Sequence, residues 1–107
     1  MGSRLGDSAR VTLQRFRAGQ SEEQIAGERG LVTGTIYGHL AEAIACGEQI
    51  ELARLLTPEQ QAEIAAGFAK AGFGNLGAVF QALGGVYEYG LLRVYRASAD
   101  AVRRSGP

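Results

Sequence analysis

The sequence predicts an all-α fold, a compact bundle of about six helices with a helix-turn-helix in its N-terminal half. Three observations carry this. Apolar residues recur at three- and four-residue spacing rather than alternating. Proline is scarce at 2 of 107 residues while glycine numbers 16, and the glycines punctuate the apolar runs, where helices stop. Finally, Ser21-Glu22-Glu23-Gln24 and Thr57-Pro58-Glu59-Gln60 have capping-box spacing, in which the first side chain takes the amide three residues on and that residue's side chain returns the bond.

The first helix is expected over residues 8–18, with Ser8 as N-cap, Val11, Leu13 and Phe16 turned inward, and Gly19 as stop. The second begins at Ser21, where Glu22 and Glu23 suit the positive end of the helix dipole, and ends near Arg29 with Gly30 at the turn. Residues 33–46 make a third helix whose inner stripe is Ile36, Leu40, Ala43 and Ile44. Pro58 at the first helical position opens a fourth helix that runs to Ala71 and buries Ile64 and Phe68. A short fifth helix over residues 75–83 presents Leu76, Val79, Phe80 and Leu83 before Gly84-Gly85 breaks it. The last, over residues 88–103, carries Leu91, Leu92, Val94, Tyr95 and Val102.

One helical domain over residues 1–107 accounts for the chain, with a helix-turn-helix half over 8–47, a C-terminal half over 57–104 and a candidate hinge over 51–56. With 46% apolar and 21% charged residues, the composition excludes a disordered tail, a disulfide scaffold and a large multidomain enzyme. Cys46 is the only cysteine. No run approaches the roughly 20 apolar residues of a membrane span, and the opening seven residues have no apolar core, so the cytoplasm is the expected compartment. Met1-Gly2-Ser3 is the kind of start a fragment carries, and the parent protein stays open.

Net charge is zero, but its distribution is uneven. Residues 1–20 carry Arg4, Arg10, Arg15 and Arg17 against Asp7; residues 21–69 carry eight acids against Arg29 and Arg54; residues 70–107 carry Lys70, Arg93, Arg96, Arg103 and Arg104 against Glu88 and Asp100. If the two basic ends meet they form one phosphate-binding surface; otherwise they are solvated helix faces.

The segment over residues 24–40 holds the strongest motif. Two closely crossing helices need a small residue, which Ala26 supplies, and four residues on a turn residue that tolerates positive φ, which Gly30 supplies. Leu31 and Ile36 plug the space between. The same spacing serves an αα-hairpin used only for packing. Opposite the inner stripe of the third helix lie Gly34, Tyr37, Gly38, Ala41, Glu42 and Ala45, with Thr33 and Thr35 at the N-terminal edge and no Lys or Arg up to Cys46. Arginine to guanine and Asn or Gln to adenine are the usual base contacts. Strong sequence specificity is therefore not expected. Two glycines allow close approach to a backbone, and the hydroxyls of Thr33, Thr35 and Tyr37 are placed to reach phosphates.

The run from Ser21 to Leu31, followed by Thr35-Ile36-Tyr37-Gly38-His39-Leu40, Gly47-Glu48-Gln49-Ile50 and later Tyr89-Gly90-Leu91-Leu92-Arg93-Val94, resembles the helix-turn-helix domain at the C-terminal end of many bacterial RecQ-type DNA helicases. The first half alone is also similar to response-regulator and sigma-factor helix-turn-helices. The resemblance implies a non-catalytic accessory domain behind a helicase motor in the parent chain, with a place in DNA repair. The candidate DNA-binding residues are Thr33, Gly34, Thr35, Tyr37, Gly38, Arg10, Arg15 and Arg17. The sequence departs from the family pattern at Val32, where relatives carry a capping Ser, which leaves Thr33 to cap one residue late. DNA, held weakly and nonspecifically, is the expected partner; a protein is the alternative, on a helix-turn-helix face that no longer binds DNA.

Other signals point to packing. Gly72-Phe73-Gly74-Asn75-Leu76-Gly77 spells G-x-G-x-x-G but follows an amphipathic helix rather than a strand, and so reads as an interhelical loop. No phosphate-binding loop of an ATP-driven motor occurs. His39 and Cys46 are two ligands where a structural zinc takes four, and seven residues of one helix hold them about 10 Å apart, too far for a catalytic pair. No cofactor, metal or membrane partner is expected. Tyr87, Tyr89 and Tyr95 with Arg93 and Arg96 either form a stacking platform for a single strand or bury their rings against Phe68 and Phe80.

Overall fold

The computed structural model describes residues 5–105 and shows six α-helices with no strand among them. They are α1 (Asp7–Arg17), α2 (Glu22–Arg29), α3 (Thr33–Ala45), α4 (Pro58–Ala71), α5 (Leu76–Ala82) and α6 (Tyr89–Ser105), with a single 3-10 turn at Leu52–Arg54. Both capping boxes form. The Ser21 hydroxyl accepts from the Gln24 amide at 3.0 Å, the Thr57 hydroxyl from that of Gln60 at 3.1 Å, and each glutamine side chain returns the bond. The G-x-G-x-x-G stretch is the loop between α4 and α5, where Asn75 caps α5 by accepting from the Ala78 amide.

Two starts differ from expectation. Gly6, not Ser8, is the N-cap of α1 and offers no side-chain bond. Ser8 lies inside the first turn, where its hydroxyl is taken by Arg29 from α2. Val32 occupies the N-cap of α3, so Thr33 is the first helical residue rather than a late cap.

The first core cluster gathers Leu13, Phe16, Ile25, Ala26, Ile36, Leu40, Ala43 and Ile44 from α1 to α3 and Val94 from α6. The second holds Leu56, Ile64, Phe68, Val79, Tyr87 and Leu92. Leu52, Leu55 and Leu91 pack against both. The segment over residues 51–56 thus packs between the two clusters. Arg54 fastens it: its guanidinium lies 3.7 Å from the centroid of the Phe16 ring and donates to the carbonyls of Phe16 and Gln20, which satisfies the end of α1.

Between the two halves runs α6, which makes its main packing against α3. Gly90 makes this possible. A Cβ there would lie 2.6 Å from the Tyr37 Cβ, closer than such atoms approach. The tyrosine platform does not form, because Tyr95 stacks on Phe68, Tyr89 stacks on Phe80, and the buried Tyr87 donates its hydroxyl to Glu63. No helix among the described residues is long and apolar enough to cross a membrane.

Candidate nucleic-acid interface

The turn between α2 and α3 is set by Gly30, which adopts φ 67° and ψ 33°. The Leu31 amide donates to the Ala26 carbonyl at 2.8 Å and the Gly30 amide to Gly27 at 3.4 Å, the pairing by which a left-handed residue closes a helix. Ala26 is buried beside Ile36 and Leu40 in the first cluster. A bulkier side chain there would hold α2 away from α3.

On α3 the inner stripe of Ile36, Leu40, Ala43 and Ile44 is buried as its spacing predicts. The opposite face is only partly free. Tyr37 and Ala41 are 6% and 7% exposed, because α6 lies along them. The Tyr37 hydroxyl, expected to reach a phosphate, instead donates to Glu22 at 3.2 Å. Burial first, then the charge of Glu22, pushes its pKa up, with smaller contributions from Glu88 and Glu23. Thr35 is exposed, while Thr33, Gly34 and Gly38 are half-buried.

The basic side chains divide into two sets. Arg4 lies outside the described residues. Arg15 pairs with Glu28 at 2.7 Å and Arg17 with Glu48 at 3.2 Å; Arg10 donates to the Leu5 carbonyl. Each of these N-terminal arginines is engaged within the fold. Arg93, Arg96 and Arg104 of α6 instead line a recess of about 450 Å³ together with Gly38, Ala41, Glu42, Ala45, Ala97 and Asp100. No residue of α1 lines it. Among the described residues the concave basic surface belongs to α6 with α3.

Composition alone does not single out Arg93, Arg96 and Arg104. Their periodicity does: residues 93 and 104 are about three turns apart and share one side of a helix.

A polar network joins the first three helices beside this surface. Arg29 donates to the Thr12 hydroxyl at 2.6 Å and to both the carbonyl and hydroxyl of Ser8. The Thr12 hydroxyl lies 2.7 Å from His39 Nδ1. Arginine only donates, so the Thr12 oxygen accepts from Arg29, and the imidazole tautomer sets which way the proton lies between Thr12 and His39. Burial and the neighbouring Arg29 lower the His39 pKa from 6.5, against an opposing effect of Glu42.

Below pH 6.5 the unfolded chain takes a proton on His39 before the folded chain does, so stability should fall as pH drops through this range and level off below the folded pKa. His39 is the only histidine. Urea unfolding at pH 7.5 and pH 5.5 should show the loss, and His39→Gln should abolish it. Equal stability of the unsubstituted protein at both pH values would contradict the network.

A family described as a helix-turn-helix domain matches residues 8–96. The chain belongs to that family. No curated protein and no solved structure matches it. In this helix-turn-helix domain the match runs from the first turn of α1 into α6, so the first half of α6, with Arg93 and Arg96, falls within the family's span and Arg104 lies beyond it.

Proposed function

We propose that this helix-turn-helix domain is a non-catalytic DNA-binding accessory module, of the kind its sequence resembles at the C-terminal end of RecQ-type helicases, and that a helicase motor precedes it in the parent protein. It binds weakly and with little regard for sequence. One observation carries this reading: the recess between α3 and α6 gathers Arg93, Arg96 and Arg104, whereas α3 itself has no Lys or Arg. Affinity then comes from phosphates and not from base edges.

With about three phosphates neutralised, duplex affinity should fall with a log–log salt slope of about −3. A fluorescence titration against random-sequence DNA at several salt concentrations measures it. A salt-independent affinity would contradict the phosphate reading.

A second reading is favoured by one feature. An apolar recess of about 500 Å³ lies between Ile44, Ile50, Leu52 and Val102, and Val102 is 71% exposed, which suits a protein partner. Absence of any DNA binding at low salt would select this interaction module over the DNA-binding one.

A further inference from the structure

We infer that the DNA held here is a single strand, its phosphates laid along the groove between α3 and α6; this rests on the DNA-binding reading above. A helix-turn-helix reads duplex by placing one helix in a major groove about 12 Å wide. On α3 the middle of the face for that insertion is covered, since Tyr37 and Ala41 are buried under α6 and Gly90 brings the two helices into contact. Packed helices lie about 8–10 Å apart and each is about 10–12 Å across, so the pair is about 20 Å wide. It does not enter the groove. Approach by the N-terminal turn of α3 is opposed as well, because Glu22, which accepts from the Tyr37 hydroxyl, brings acidic charge there with Glu23 in the same turn of α2.

The groove itself suits one extended backbone. Gly38, Ala41, Ala45 and Ala97 give it a floor of small residues. Above them, Arg93 and Arg104 stand about 16 Å apart along α6, and neither makes an ion pair among the described residues. Between them Arg96 is steadied by the Phe73 carbonyl at 3.3 Å. Of the two acids beside the groove, Asp100 is engaged by Arg103, which leaves Glu42 as the opposing charge. No aromatic ring lines the groove, so the bases of a bound strand point away from the protein and their identity is not read.

The test titrates the full chain at low salt with one labelled mixed-sequence oligonucleotide, alone and annealed to its complement. The single strand should bind several-fold more tightly than the duplex. In the Arg93→Ala, Arg104→Ala double variant, single-strand affinity should drop severalfold and the salt slope become shallower by about 1.4, the contribution of two phosphates on a single strand. Both positions are exposed, and a circular dichroism melt confirms that the variant is folded. Equal or tighter duplex binding overturns the inference and leaves DNA binding standing. Single-strand preference that survives the double substitution overturns the placement in this groove. Binding of neither form overturns the DNA-binding reading itself.

Discussion

Gly90→Ala should lower the unfolding free energy by about 3 kcal/mol, the upper end for overpacking a tight contact. The added Cβ would stand 2.6 Å from the Tyr37 Cβ and 3.0 Å from its Cδ2. The first of these atoms is tied to the α3 backbone, so relief requires the helices to separate rather than a side chain to swing aside. For a domain of this size the loss corresponds to a fall in Tm of about 10 °C or more. Gly34 provides the control. It lies in α3, and a Cβ added there would meet nothing within 4 Å, so Gly34→Ala should hold or raise stability, as alanine in a helix outranks glycine by about 1 kcal/mol. Thermal melts of the three proteins decide it; an unchanged midpoint for Gly90→Ala would mean that α6 does not rest on Tyr37.

Ala26→Leu should cost about 1–3 kcal/mol. Ala26 is buried at the packing of α2 on α3, and its carbonyl also receives the Leu31 amide that closes the turn. The larger side chain pushes on Ile36 and Leu40, both fully buried in the same cluster. Urea unfolding measures the loss. Unaltered stability would mean that α2 and α3 do not approach closely at this residue, which would remove the basis for helix-turn-helix geometry here.

What was legible in the sequence was local. Capping boxes at Ser21 and Thr57, the left-handed Gly30 and the inner stripe of α3 each depend on residues within a turn or two of one another, and each is found as the spacing predicts. The differences arise where a distant residue intervenes. Ser8 has the chemistry of an N-cap, but Arg29 claims its hydroxyl. The periodicity of α1 points Val11 inward, yet the fully buried position is Thr12, which burial can tolerate because Arg29 and His39 satisfy its hydroxyl.

The candidate site shows the same division. Helical spacing correctly separates the two faces of α3, but nothing near Tyr37 in the chain announces that Gly90 will cover it. Arg15 and Arg17 stand out by charge, while the ion pairs that engage them involve Glu28 and Glu48 from other parts of the chain. The recess that gathers Arg93, Arg96 and Arg104 exists only once α6 is docked on α3.

If DNA lies on the joint face of α3 and α6, its affinity must respond to the charge at Glu42. That residue is exposed and lines the recess with the three α6 arginines. Glu42→Lys exchanges an opposing charge for a favourable one at a site where surface substitutions cost less than about 0.5 kcal/mol. Single-stranded and duplex affinities of the two folded proteins should be compared at one low salt concentration. Glu42→Lys should bind severalfold more tightly; equal affinity of the two proteins for both forms of DNA would contradict placement of DNA on this face.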